Sequence, residues 1–136
     1  MSFLLDTNIL SELRKGSRCD PNVLQWAVKE STQAHYISVL SLGEIRKGIE
    51  LLRNKSPEKC APLENWLEKL HTDYANCTIA ITAEISERWG ELSSRRTLPV
   101  IDSLIAATAL EFGLTLATRN TKDFDGLGIP IVNPFQ

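Results

Sequence analysis

Phe3-Leu4-Leu5-Asp6-Thr7-Asn8 is the stretch on which the fold turns. Three apolar residues suffice for a short buried strand, and this run stops at an acid. Ile9, Leu10 and Leu13 then share one helical face until Lys15-Gly16-Ser17 breaks it. Outward along the chain the same alternation returns. Ala34 to Ser38, Cys77 to Ile81 and Leu114 to Ala117 read as further strands, and Ile129 to Val132 as a fifth after Gly126-Leu127-Gly128. Helical stripes separate most of them. Asp20-Pro21 reads as a cap and first helical residue, with Val23, Leu24, Ala27 and Val28 as the apolar stripe. Leu42, Ile45, Ile49 and Leu52 mark a long helix, and Ser56-Pro57-Glu58 opens the next, with Leu63, Trp66, Leu67 and Leu70. Thr82 caps a helix carrying Ile85, Trp89 and Leu92. Asp102 or Ser103 caps Leu104 to Phe112, which Gly113 closes. Short apolar strands between helices predict an α/β fold with a parallel central sheet.

Composition narrows the choice. The chain has 136 residues, a net charge of -2, 43% hydrophobic and 24% charged residues. One domain spanning residues 1–136 is expected. No apolar run approaches the roughly 20 residues of a membrane helix. The start, Met1 to Asp6, has no basic opening and meets an acid at once, so no signal peptide is expected. Cys19, Cys60 and Cys77 are too few and too scattered for a disulfide framework or a zinc site, which points to reduced thiols and the cytoplasm. The charge balance excludes a protein that coats nucleic acid through bulk basicity.

In open parallel sheets, ligands sit beyond the carboxyl ends of the strands. Four acids lie near such ends: Asp6, Glu44, Asp102 and Asp123. Each has a plain structural explanation. Asp6 and Asp102 suit helix caps, Glu44 could pair with Lys47, and Asp123 sits in an acidic turn beside Asp125. Yet Glu44 borders the apolar stripe, and Gly43 and Gly48 flank it as if something approached closely. Taken together, four carboxylates in one place repel unless a cation neutralises them. Mg²⁺ or Mn²⁺ suits such oxygen donors. Two such ions about 3.5–4 Å apart can clamp a phosphodiester for in-line attack by water.

Leu4-Leu5-Asp6-Thr7-Asn8, Ser38 through Glu44-Ile45 to Gly48, Asp102 to Ala107, Ala117-Thr118-Arg119-Asn120, Asp123-Phe124 and Val132-Asn133-Pro134 together resemble the PIN-domain ribonucleases. Within that family the chain is similar to the VapC-type or FitB-type toxins of type II toxin–antitoxin pairs. The likeness runs over essentially the whole chain. It implies a three-layer α/β/α domain and a Mg²⁺-dependent acidic site. Asp6 and Asp102 match the direct metal ligands, Glu44 the third acid, and Asn8 and Thr118 polar residues that orient them. The fourth acid matches Asp123, although some members carry an acid where this chain has Asn120. The resemblance also implies an RNA substrate, a cognate antitoxin, and a homodimer or toxin–antitoxin hetero-oligomer.

Carboxylates repel a polyanion, so basic residues must border such a site. Arg14, Lys15, Arg18, Arg46, Lys47, Arg95 and Arg96 are available, and Arg119 and Lys122 are the first choice for phosphate contact. Contacts of that kind position the strand rather than read bases. Cleavage should then weaken as salt rises. Leu10, Leu13, Val23, Leu24, Leu63 and Leu67 are the residues from which an antitoxin groove could form. Other chemistries fit poorly. An aspartyl-phosphate phosphatase needs an acid where Asn8 stands, a dinucleotide binder needs a glycine-rich loop after the first strand, and neither His35 nor His71 follows a strand. The serious rival is a non-catalytic PIN-like module that binds nucleic acid or protein.

Overall fold

The computed structural model describes residues 1–136. Five parallel strands form one sheet in the order β3-β2-β1-β4-β5, with β1 Ser2–Leu5, β2 Ala34–Ser38, β3 Thr78–Ile79, β4 Thr115–Ala117 and β5 Ile131–Val132. The chain runs outward from β1 through β2 to β3, then returns to place β4 on the other side of β1. That reversal opens a crevice at the carboxyl ends of β1 and β4.

Seven α-helices complete the chain: α1 Thr7–Leu13, α2 Pro21–Lys29, α3 Val39–Arg53, α4 Cys60–Asp73, α5 Ala83–Arg95, α6 Val100–Phe112 and α7 Thr121–Phe124. Successive strand residues point to opposite faces, so β1 feeds two cores. Phe3 and Leu5 pack with Ile9, Ile45, Ile49 and Leu67 from α1, α3 and α4. Leu4 packs with Ile85, Leu92, Ile105 and Ala106 from α5 and α6. The result is the expected three-layer sandwich, with both faces of the sheet covered. No helix is long and apolar enough to cross a membrane.

Local rules explain most element ends. Asp20 accepts from the Asn22 and Val23 amides at 2.9 and 3.3 Å, with Pro21 next in line. Thr82 Oγ1 accepts from Ile85 N at 3.2 Å. Gly113 takes the left-handed conformation, φ 63°, and the Leu114 amide closes the turn on Ala109 O at 2.9 Å.

Four expectations shift. Neither Asp102 nor Ser103 caps α6: Pro99 does, and Asp102 lies in the first turn. Ser103 is occupied, donating to the Pro99 and Val100 carbonyls and accepting from Trp89 Nε1 at 2.9 Å. The edge strands β3 and β5 are two residues each; Pro130 has no amide to extend β5. The α2 stripe is half right. Val23 is buried and Trp26 packs edge-on against Phe3, but Leu24 and Val28 are exposed because α2 turns a narrower face inward. Gly43 and Gly48 are not required by any close approach within the chain, since a Cβ on either would meet nothing within 4 Å.

Candidate active site

Asp6 is the first residue beyond β1 and the cap of α1. Its Oδ1 accepts from the Thr7 amide at 2.8 Å, so the cap and the site are one side chain. Its Oδ2 accepts from the Thr118 hydroxyl at 2.8 Å and from Asn8 Nδ2 at 3.3 Å. Thr118, wholly buried just past β4, also accepts from the Asn120 amide at 3.1 Å. Asn8 Oδ1 in turn accepts from the Arg119 amide at 3.1 Å. Asn8 and Thr118 therefore tie the ends of the two central strands to one carboxylate. Asn120 contributes its backbone alone; its side chain caps nothing. Burial pushes the Asp6 carboxyl above its ordinary range, against the pull of the Thr118, Thr7 and Asn8 donors.

Glu44 stands in the second turn of α3, and its partner is not Lys47. The Thr7 hydroxyl donates to Glu44 Oε1 at 2.7 Å and lies 2.9 Å from the buried Ser41 Oγ. Thr7 and Ser41 had no role in the sequence reading. Their only signal was a hydroxyl beside Asp6 and another three residues before Glu44. Asp102 faces the same space from α6. Its carboxyl is also raised, first by burial and then by repulsion from Asp6, Asp123 and Glu44. Asp102 on α6 is thus within electrostatic reach of Asp6 beyond β1, Asp123 on α7 and Glu44 on α3.

None of the four takes part in an ion pair. The chain's seven salt bridges use Glu12, Glu50, Glu64, Asp73 and Glu111 instead. The four are not drawn into a closed cage either: no three His, Cys, Asp or Glu side chains form a ready ligand cluster. An open set of oxygen donors suits a hard divalent ion that keeps several waters, which is how Mg²⁺ is commonly held.

The basic rim is thinner than the sequence suggests. Lys15 pairs with Glu12, and Arg46 pairs with Glu50 and Glu64. Arg14 lies over Trp66, and Arg119 over Phe135 at 4.5 Å. Lys47 and Lys122 pair with no carboxylate. Lys122 borders a polar depression of about 380 Å³ with Arg119, Asn120, Asp123 and Asn133. Of the groove residues, Val23 and Leu67 are core and Leu24 is exposed, whereas Leu10 and Leu13 do line, with Arg14, Trp66, Leu70 and Tyr74, an open hollow of about 370 Å³ between α1 and α4.

Comparison with known proteins agrees with the fold. Residues 3–129 match the family model described as PIN domain. A plasmid stability protein, StbB, from Pseudomonas syringae pv. tomato is 31% identical over 98% of this chain and 99% of its own length. The VapC ribonuclease Y4jK of Sinorhizobium fredii is 29% identical over 98% of each chain. A structure described as a toxin-antitoxin complex from Klebsiella pneumoniae superposes with a TM-score of 0.69 at 28% identity, covering 98% of both chains.

Proposed function

The chain belongs to the PIN-domain family, and from that premise we propose that it is a metal-dependent endoribonuclease acting as the toxin of a toxin–antitoxin pair. The observation that carries this is that the charges of Asp6, Asp123 and Glu44 act on Asp102 while none of the four carboxylates takes part in an ion pair. Asp6 and Asp102 would hold Mg²⁺ or Mn²⁺ directly, with Glu44 and Asp123 completing the shell. A hard divalent cation supplies charge neutralisation at phosphate and an activated water. Thr118, Asn8 and Thr7 fix the Asp6 and Glu44 carboxylates so that little ordering remains when the cation arrives. Lys122 and the exposed Arg119 would take the RNA backbone on one side, and Lys47 on the other.

A relative named as a ribonuclease and a structural neighbour described as a toxin–antitoxin complex support the reading. The hollow between α1 and α4 has an apolar lining, with Arg14 and the Lys69–Asp73 pair at its rim, that suits an amphipathic antitoxin segment. Exposed Val39, Leu51 and Val100 beside Ile101 support a second copy docking along α3 and α6. The three free thiols fit a reducing cytoplasm.

The test is RNA cleavage with Mg²⁺, with Mn²⁺ and with EDTA, for wild type, Asp6→Asn and Asp102→Asn. Cleavage should need the cation and fall about 100-fold or more in both variants. Cleavage that persists in EDTA would overturn the metal reading. RNA bound but left intact would identify a binding module.

A further inference from the structure

Asp123 has a weak hold on its own position. It is exposed, in a helix of four residues followed by two left-handed glycines, Gly126 and Gly128. Phe124 anchors the far side by burial. The near side is held from outside the segment. Arg96 Nη2 donates to the Asp123 carbonyl at 3.1 Å and to the Lys122 carbonyl at 3.4 Å, and Nη1 donates to the Asp125 carbonyl. A guanidinium presents its donors in a rigid fork, and here the fork meets three backbone oxygens that so short a helix cannot satisfy itself.

Arg96 is suited to that task. It is half-buried while Arg95 beside it is exposed, and it pairs with no carboxylate. Its own amide bonds Leu92 O at 3.1 Å, so its backbone is fixed to the end of α5. It also opens the link into α6, six residues before Asp102. With both Nη groups already engaged on this backbone, it is less available to phosphate than the sequence suggested.

We propose that Arg96 is a positioning residue that sets the Asp123 carboxylate against Asp102 by clamping the backbone of residues 122–125. This rests on the nuclease reading for its purpose, but its geometry can be tested without RNA. The variants are Arg96→Gln, Arg96→Lys, Asp123→Asn and the Arg96→Gln/Asp123→Asn double. Two readouts serve: Mn²⁺ affinity by calorimetry, and hydrogen exchange of the Asp123 amide, which bonds Asn120 O at 3.1 Å. Arg96→Gln should weaken Mn²⁺ about tenfold, as the loss of a ligand-orienting partner does. Arg96→Lys should recover only part, because an ammonium cannot fork. In the Asp123→Asn background, Arg96→Gln should cost nothing further, since its effect runs through that carboxylate. Exchange at Asp123 should rise about tenfold, with the core of α5 and α6 unchanged.

Equal Mn²⁺ losses in both backgrounds would overturn the proposal, because Arg96 would then act independently of Asp123. So would unchanged exchange. A wild type that binds no Mn²⁺ refutes the metal reading instead, and exchange alone then decides whether the clamp exists.

Discussion

Thr118→Val tests the central joint of the site. Valine has the shape of threonine, so no cavity forms, and only the hydroxyl is lost. That hydroxyl donates to Asp6 Oδ2 at 2.8 Å in a position with no solvent exposure. A hydrogen bond to a charged acceptor contributes about 1.5–3 kcal/mol. The other two partners, the Asn120 amide and Asn8 Nδ2 at 3.4 Å, are on exposed and half-buried residues, and water replaces their acceptor at little cost. The expected loss is about 2 kcal/mol, a fall in Tm of about 6–8 °C for a chain of this size. Thr118→Ser keeps the hydroxyl and loses one methyl, which costs about 1 kcal/mol. Urea and thermal unfolding in EDTA at neutral pH measure both. The deficit of Thr118→Val should shrink in acid, because protonating Asp6 removes the charged acceptor. A serine variant less stable than the valine variant would refute the reasoning, since methyl packing would then outweigh the bond.

Asp102→Asn should stabilise the cation-free protein at neutral pH. Burial and the charges of Asp6, Asp123 and Glu44 raise the Asp102 carboxyl, so its ionised form weakens the fold. That penalty is present above the raised value and disappears as pH falls through it toward the ordinary carboxylate range. The gain is under about 1 kcal/mol after solvent screening, and it should close on acidification; a pH-independent gap in EDTA would contradict it. Gly113→Ala should cost about 1–2 kcal/mol by urea midpoint. Gly113 sits at φ 63° with nothing within 4 Å of an added Cβ, so the penalty is backbone strain alone, and an unchanged midpoint would show the turn can relax.

The strands that build the site were legible because each couples an apolar run to an acid or a turn. Asp6 after Leu5 and Gly113 before Leu114 are local signals, and the structure keeps both. What stayed hidden depends on distant partners. α7 spans four polar-rich residues, too few for any period to show, and it is held by Arg96 from another part of the chain. The start of α6 could not be read from Asp102 and Ser103, because Trp89 claims the Ser103 hydroxyl. Glu44 was legible as a site acid, but not its partner: Thr7, which the fold brings across from 37 positions away. Leu24 and Val28 obey helical spacing, but spacing does not say how wide a face the sheet will cover.

The bond between Asp6 and Thr118 joins residues 112 positions apart. A chain leaving the ribosome therefore carries Asp6 long before the strand end that orients it has been made. β1 gains its β4 neighbour, and Asp6 its buried donor, only when residues 115–118 have emerged. Asp123 comes later still. A fragment truncated just before β4 already carries three of the four acids, Asp6, Glu44 and Asp102, but has no β4 to close the crevice beside β1. Any copy of this chain that stops before residue 118 thus lacks both the neighbouring strand and the hydroxyl that hold Asp6 in place.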